Sequence, residues 1–423
     1  MDYYYNEQKP QRVLILAADT GEYDAGASVD ELKELIKTAG GETAGVIIQT
    51  LPCVNSVSYI GSGKLAEAAE FAAANDIDLT VCDCELTPTQ QRVLTDALKT
   101  DVVDRTVLIL DIFALNARTN EGKLQVELAQ LKYSLPRLSG KGVSMSRLGG
   151  GIGTRGPGET KLESDRRHIR RRIHALEEQL SALETRRRRR REKRKKDGVT
   201  TAALVGYTNV GKSTLLNTLT NSSVLAENKL FATLDPTSRA LKLPDGREIM
   251  LIDTVGFISR LPHFLVEAFK STLEEATDAD LLIVMCDASD PECEEKLDIT
   301  LEVLKELCTE EKPIVTVYNK CDIAHNFIAP YSKNAVHISA QNNIGITNLL
   351  DCICGALPDN RRRLSVLIPY RLSALEAKLR SSGRLFAEEY REDGIFMDIE
   401  LGFNDAKEIS EYIVPQNKSE DEQ

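Results

Sequence analysis

At 423 residues the chain is long enough for about three domains, each with its own core. A formal charge of −12, with 42% hydrophobic and 28% charged residues, is globular and excludes a disordered or collagen-like chain. The longest apolar runs, such as residues 281–286, are strand-length and far short of the ~20 residues of a membrane span.

The start of the chain, MDYYYNEQKP, has no basic stretch followed by an apolar one, so no signal peptide is expected. Nine cysteines include two Cys-x-Cys pairs, Cys82/Cys84 and Cys352/Cys354, without the neighbouring Cys-x2-Cys pairs that zinc sites use. Reduced core thiols of a cytosolic protein are expected.

Residues 11–110 alternate strand-like and helix-like text, which predicts a small α/β domain. Strands are expected at Val13–Ala18, Val46–Ile48 and Leu79–Cys82, and helices at Ser28–Ala39 and Lys64–Ala74. Thr89–Leu98 and Thr106–Leu110 continue the alternation as a helix and then a strand. Gly61-Ser62-Gly63-Lys64 imitates half of a phosphate loop. Ser58 stands where its first glycine should be and Leu65 where a hydroxyl is needed, so it is rejected.

From Glu121 a helix carries Leu124, Leu128, Leu131 and Leu135 as one apolar stripe, ended by Pro136 and Gly140. After the glycine-rich text 149–159, a second helix from about Thr160 places Leu162, Ile169, Ile173, Leu176, Leu180 and Leu183 at heptad spacing. The two helices predict an antiparallel hairpin arm with the glycine loop at its tip. Residues 161–196 hold sixteen Lys or Arg and six Asp or Glu, a local +10, so the rest of the chain carries −22. Arg186–Arg191 are six consecutive arginines, followed by Lys193, Arg194, Lys195 and Lys196. They cover every face of a helix, which points to RNA contact more than to a solvated face.

Asp197-Gly198 breaks this helix and a strand over Val199–Leu204 opens a new α/β domain. Gly206, Tyr207, Thr208, Asn209, Val210, Gly211, Lys212 and Ser213 then read G-x4-G-K-S between that strand and a helix at Thr214–Leu219. Such a loop forms an anion nest of backbone N–H groups at a helix N-terminus. Lys212 supplies charge to the β/γ-phosphates and the Ser213 hydroxyl ligates Mg2+. Asp253, Thr254, Val255 and Gly256 end the strand Ile249–Ile252, with Asp253 beside the metal and the Gly256 N–H toward a γ-phosphate. Asn319, Lys320 and Asp322 follow the strand Pro313–Tyr318 as Asn-Lys-x-Asp. The Asp322 carboxylate suits the N1–H and 2-amino donors of guanine, which adenine does not offer. Ser339 and Ala340 fit a backbone contact to guanine O6. Phe231, Ala232, Thr233, Leu234 and Asp235 lie in a loop expected to close over the γ-phosphate, with Thr233 as second Mg2+ ligand.

Lys212, Thr233, Gly256 and Asn209 are therefore the candidates for catalysis. Phe257 occupies the place where a water-orienting Gln is expected, so hydrolysis of GTP to GDP and phosphate should be slow alone. Asn209 has two readings: it holds a K+ ion that supplies positive charge, or it only shapes the loop.

The segments FATLDPTSR, DTVGFISRLPHFLVEAFKSTLEEATDADLL, GGGIGTRGPGETKLESDRR and DRTVLILDIFALNARTNEGKLQVELAQ, within residues 10–360, resemble HflX-type ribosome-associated GTPases of the Obg-HflX-like superfamily. The resemblance implies a multidomain α/β fold. Its parts would be an N-terminal α/β domain (1–118), a helical hairpin arm (119–197) and a Ras-like P-loop GTPase domain (198–358), while a small α+β C-terminal domain (359–423), beyond the resembling segments, is read from its residue pattern. In the last, a strand (Leu364–Ile368), a helix (Ser373–Arg380), a hairpin at Asp393-Gly394, a final helix and a polar tail are expected. The resemblance further implies a factor that docks on the large ribosomal subunit and dissociates or rescues stalled ribosomes with GTP, stimulated by ribosomes. The alternatives are a GTPase of large-subunit assembly, or an RNA-binding or remodelling protein in which GTP is only structural. Partners are then ribosomal RNA and GTP/GDP, with no DNA, no integral membrane association, a monomeric state and a cytoplasmic location.

Overall fold

A computed structural model describes residues 9–138, 161–220, 230–231, 237–258, 260, 265, 277–308, 312–324, 334–357, 362–402, 406 and 409–414. The chain divides into two compact units. One comprises residues 1–185, 227–235 and 255–273, the other 186–226, 236–254 and 274–423.

The first unit is built on a parallel sheet of β1 (Arg12–Asp19), β2 (Glu42–Thr50), β3 (Leu79–Cys82) and β4 (Asp101–Asp104), in the order β2-β1-β3-β4. β1 is a continuous apolar run because both its faces are covered. Val13, Ile15 and Ala17 enter one core, and Leu14, Leu16 and Ala18 the other. Helices α1 (Ala25–Thr38), α2 (Ser62–Ala74) and α3 (Pro88–Leu98) connect the strands. α1 starts three residues before the expected Ser28, because the Asp24 carboxylate accepts from the Gly26 and Ala27 N–H groups and caps it there.

The strand expected at Thr106–Leu110 is helix. α4 spans Arg105–Asn116, and the last strand of this sheet lies just before it. An apolar run of this kind fits a buried strand or a buried helix equally well. The Asp104 carboxylate, accepting the Val107 N–H at 3.0 Å, starts a helix.

α5 (Asn120–Ser134) exists as expected, but its deeply buried side is Gln125, Val126, Ala129 and Tyr133. Leu124, Leu128, Leu131 and Leu135 are only half-buried. Tyr133 fixes the choice, because its hydroxyl donates to the buried Asp104 carboxylate. α6 (Lys161–Lys196) is a single 36-residue helix, about 54 Å long at ~1.5 Å per residue. Ile169 and Leu176 are buried in it, and Ile173, Leu180 and Leu183 are half-buried. Arg172 pairs with Glu127 and Lys132 with Glu177, each at 2.7 Å, linking α6 to α5. The glycine-rich text 149–159 lies outside the described residues.

The second unit contains a six-stranded sheet in the order β10-β9-β8-β5-β7-β6. Its strands are β5 (Thr200–Gly206), β6 (Thr237–Lys242), β7 (Glu248–Asp253), β8 (Leu281–Asp287), β9 (Ile314–Asn319) and β10 (Ala335–His337). All neighbours are parallel except β6 and β7. α7 (Lys212–Thr220), α8 (Cys293–Leu307) and α9 (Ile346–Ala356) follow β5, β8 and β10. The sequence passes from β7 on one side of β5 to β8 on the other, and that switch point is where open α/β sheets form a crevice at the strands' carboxyl ends.

At the C-terminus β11 (Arg362–Ile368), β12 (Arg384–Arg391) and β13 (Gly394–Leu401) form an antiparallel sheet in the order β11-β13-β12. Val366, Ile368, Met397, Ile399 and Leu401 pack with Leu379 of α10 (Ser373–Ser382). Where a final helix was expected, the described residues contain a 3-10 turn at Ser410–Tyr412. The polar tail 415–423 lies outside them. Among the described residues no helix is long and apolar enough to cross a membrane.

Candidate functional site

The loop Gly206–Gly211 leaves the carboxyl end of β5 and enters α7 at Lys212, as its spacing required. Its backbone is held in unusual conformations. Gly206 and Gly211 have φ of 150° and 94°, and Asn209 is left-handed at 62°. The two glycines are also places of close approach. A Cβ on Gly206 would sit 2.2 Å from the Met285 carbonyl oxygen of β8, and one on Gly211 2.4 Å from Asn319 Nδ2. Asn is among the few non-glycine residues that tolerate the left-handed region, so loop shape alone accounts for an Asn at 209.

Lys212 is buried and donates to the Gly206 and Tyr207 carbonyls at 3.0 and 2.7 Å. Burial lowers its ammonium pKa to about 8, with the Asp253 carboxylate opposing the shift. The Ser213 hydroxyl donates to Asp253 Oδ2 at 2.6 Å, so two oxygen groups suited to a hard divalent cation stand together. Asp253 is fully buried at the end of β7. Thr254 fixes the departing chain by donating to the Leu204 carbonyl at 2.7 Å.

Asn319 ends β9 and is buried. Its Nδ2 donates to the Val210 carbonyl at 2.7 Å, and its Oδ1 accepts the Ala340 N–H at 3.0 Å. Thr218 of α7 donates to the Ala340 carbonyl at 2.8 Å. The phosphate loop and the Ser339-Ala340 loop are thus tied to one side chain. Lys320, left-handed at φ 64°, pairs with Asp287 at the end of β8 at 2.6 Å. Asp322 is exposed, and its Oδ2 accepts from Asn342 Nδ2 at 3.0 Å. Thr218, Asp287 and Asn342 belong to this constellation and were not singled out in the sequence. For Asp287 a signal existed, its place at the carboxyl end of a buried parallel strand.

The remaining candidates divide. Ala232, Thr233, Leu234 and Asp235 lie outside the described residues. Phe231, Val255 and Gly256 are buried, and Phe231 and Val255 join the core of the first unit. Phe257 is buried too, a packed side chain where a polar one would orient water.

The basic end of α6 does two jobs. Arg187, Arg191 and Arg194 recur on one helix face and are half-buried. Arg191 pairs with Asp278 at 2.6 Å, and Arg194 reaches Met250 Sδ at 3.5 Å. Together with Val199, Thr201, Ile252 and Asp280, Arg191 and Arg194 line a small cavity. Arg186, Arg188, Arg189, Arg190, Lys193 and Lys196 are exposed.

Three family profiles match in series. "GTP-binding GTPase N-terminal" covers residues 26–114, "GTP-binding GTPase Middle Region" 116–194 and "50S ribosome-binding GTPase" 201–320. A GTPase HflX of Caldanaerobacter subterraneus subsp. tengcongensis is 49% identical over 405 residues, 96% of this chain and 94% of that protein. A GTPase HflX of Lacrimispora saccharolytica is 47% identical over 392 residues, 92% and 93% of the two chains. Among solved structures, a GTP-binding protein of Sulfolobus solfataricus in complex with GDP shares 26% identity. That match covers 82% of this chain and 98% of that one, with a TM-score of 0.44.

Proposed function

The chain belongs to the HflX family of GTPases, and from that premise we propose that it binds the large ribosomal subunit and uses GTP to dissociate or rescue stalled ribosomes in the cytoplasm. The observation that carries the ribosomal part is the exposed arginine cluster Arg186, Arg188, Arg189 and Arg190 on an otherwise acidic chain, adjoining a domain that matches the ribosome-binding GTPases. Such a cluster favours RNA phosphates while the rest of the surface is repelled.

In the GTPase site the loop amides and Lys212 hold the β- and γ-phosphates, and the Gly256 N–H receives the γ-phosphate. Asp322 accepts from guanine, while Asn319 orients the loops. The paired oxygens of Ser213 and Asp253 fit Mg2+, with Thr233 as a further ligand. When bound, the ion neutralises negative charge building up on the phosphate oxygens. The Asn209 side chain is exposed at the loop, where it keeps two readings: it would hold a K+ ion that supplies positive charge, or it only shapes the loop. With Phe257 buried in place of a water-orienting side chain, hydrolysis is slow until a ribosome is bound.

Sucrose-gradient sedimentation of ribosomes with the protein and GTP, GDP or a non-hydrolysable analogue tests the reading. Conversion of intact ribosomes to subunits with GTP or its analogue, and not with GDP, is expected. An unchanged particle distribution, or association confined to immature subunits, overturns it.

A further inference from the structure

The loop 319–322 leaves β9 with a bend that its own residues do not favour. Lys320 is left-handed at φ 64°, a region that a non-glycine residue seldom enters and keeps where surrounding contacts impose it. Those contacts come from the neighbouring strand. Asp287, at the end of β8, stands opposite Asn319 in register, and its Oδ2 accepts from Lys320 Nζ at 2.6 Å. The other oxygen, Oδ1, accepts the Ser289 N–H at 3.0 Å and the Ser289 hydroxyl at 2.6 Å, so the carboxylate is itself held. Beside it the Ala288 N–H donates to the Asn319 carbonyl at 2.8 Å.

A second side chain from outside the loop holds its far end. Asp322 Oδ2 accepts from Asn342 Nδ2 at 3.0 Å. Asn342 lies in a tight turn closed by the paired backbone hydrogen bonds between Ser339 and Ile344, each 3.1 Å, and its own N–H donates to Ser339 Oγ at 3.2 Å. A carboxylate has about four acceptor positions, so the bond to Asn342 leaves Asp322 enough for two further donors. Asp287, Lys320, Asp322 and Asn342 all belong to the second unit.

We propose that Asp287 and Asn342 are positioning residues that set how sharply this site tells guanine from other bases, Asp287 acting through Lys320 and Asn342 through Asp322. The proposal rests on the assignment of Asp322 to the N1–H and 2-amino donors of guanine. An exposed carboxylate that is free to rotate must be ordered when a base arrives, which lowers affinity. Held beforehand, it meets both donors at once, and a base that offers only one of them forfeits the second interaction. Loosened, it adapts to either base and discriminates less. The phosphates are bound at the loop that enters α7, so GTP and GDP feel the loosening alike.

The test is equilibrium titration of the full chain, with Mg2+, against GDP, inosine diphosphate and a non-hydrolysable GTP analogue. Inosine diphosphate differs from GDP in lacking the 2-amino group. Asp287→Asn removes the charge opposite Lys320 and keeps an oxygen for Ser289, and Asn342→Ala trims an exposed turn without opening a core cavity. Each should weaken GDP by about fivefold and cut the preference for GDP over inosine diphosphate by about threefold or more. The ratio of GTP analogue to GDP affinity should stay within about twofold. A merely structural role would weaken GDP and inosine diphosphate by the same factor. That result, or wild-type affinities, overturns the proposal for the residue concerned, and so does a loss that differs between GDP and the GTP analogue. Asp322→Ala separates this from failure of the underlying assignment. If that variant still prefers GDP to inosine diphosphate as wild type does, Asp322 does not read guanine, whatever Asp287 and Asn342 do.

Discussion

The Asn319 side chain lies 2.7 Å from the Val210 carbonyl, joining the end of β9 to the phosphate loop. The same amide accepts the Ala340 N–H at 3.0 Å. Removing it leaves two buried backbone groups without this partner, at about 1–3 kcal/mol for each. Asn319→Ala should therefore weaken GTP and GDP alike by about tenfold or more, measured by equilibrium titration. A variant with wild-type affinities would show that the tie has no part in holding the site.

Base selectivity should reside in Asp322, which is exposed and oriented by Asn342 at 3.0 Å. A carboxylate facing guanine rejects adenine because it would be left unpaired, by roughly 10⁴-fold in sites of this type. Asp322→Asn should move preference toward xanthosine nucleotides. Competition experiments in which wild type bound ATP as well as GTP would remove the assignment.

Asn209 separates a backbone role from a side-chain role. If the side chain holds K+, wild-type turnover is faster in potassium than in matched sodium buffer. Asn209→Gly, which keeps the left-handed backbone, should abolish that difference while leaving GDP affinity within about threefold. Equal wild-type rates in the two salts would leave loop shape as the only role.

The helix end 186–196 divides into two sets of arginines that behave differently. Replacing Arg186, Arg188, Arg189 and Arg190 by Gln removes exposed charge. The slope of log K for ribosome binding against log salt should flatten by about three, at roughly 0.7 to 0.9 for each phosphate no longer neutralised. GTP affinity should not change. Arg191→Gln removes the pair with Asp278 and should lower the thermal midpoint more than any of those four changes. A salt-independent ribosome affinity would place the docking face elsewhere.

Arg105 is a buried cation of the first unit, paired with Asp83 at 3.0 Å and with Glu31. Arg105→Met leaves Asp83 without one of its two charged partners in the interior, a change that costs about 3–5 kcal/mol in comparable buried pairs. Urea unfolding should show that loss, and the double variant Arg105→Met with Asp83→Leu should recover much of it. A single variant as stable as wild type would mean that Arg260 alone compensates Asp83.

The strand–loop–helix at Gly206–Thr220, the Asp253 and Asn319 strand ends and the basic run were legible in the sequence. Each is a local pattern whose backbone conformation, charge or period follows from adjacent residues. The helix over Arg105–Asn116 and the buried side of α5 were not legible. A continuous apolar run fits two periods, and a buried carboxylate, Asp104, decided both by capping one helix and anchoring Tyr133 of the next. The division of the arginines also needed the fold, since which face of a fully basic helix is covered depends on what the chain brings against it. The same holds for the ties of the site. Asn319 and Val210 are 109 residues apart and Lys320 and Asp287 are 33 apart. Pairings over such separations leave no period or spacing in the text, because they arise only when independent elements pack, and packing alone decided which carbonyl and which carboxylate these side chains would meet.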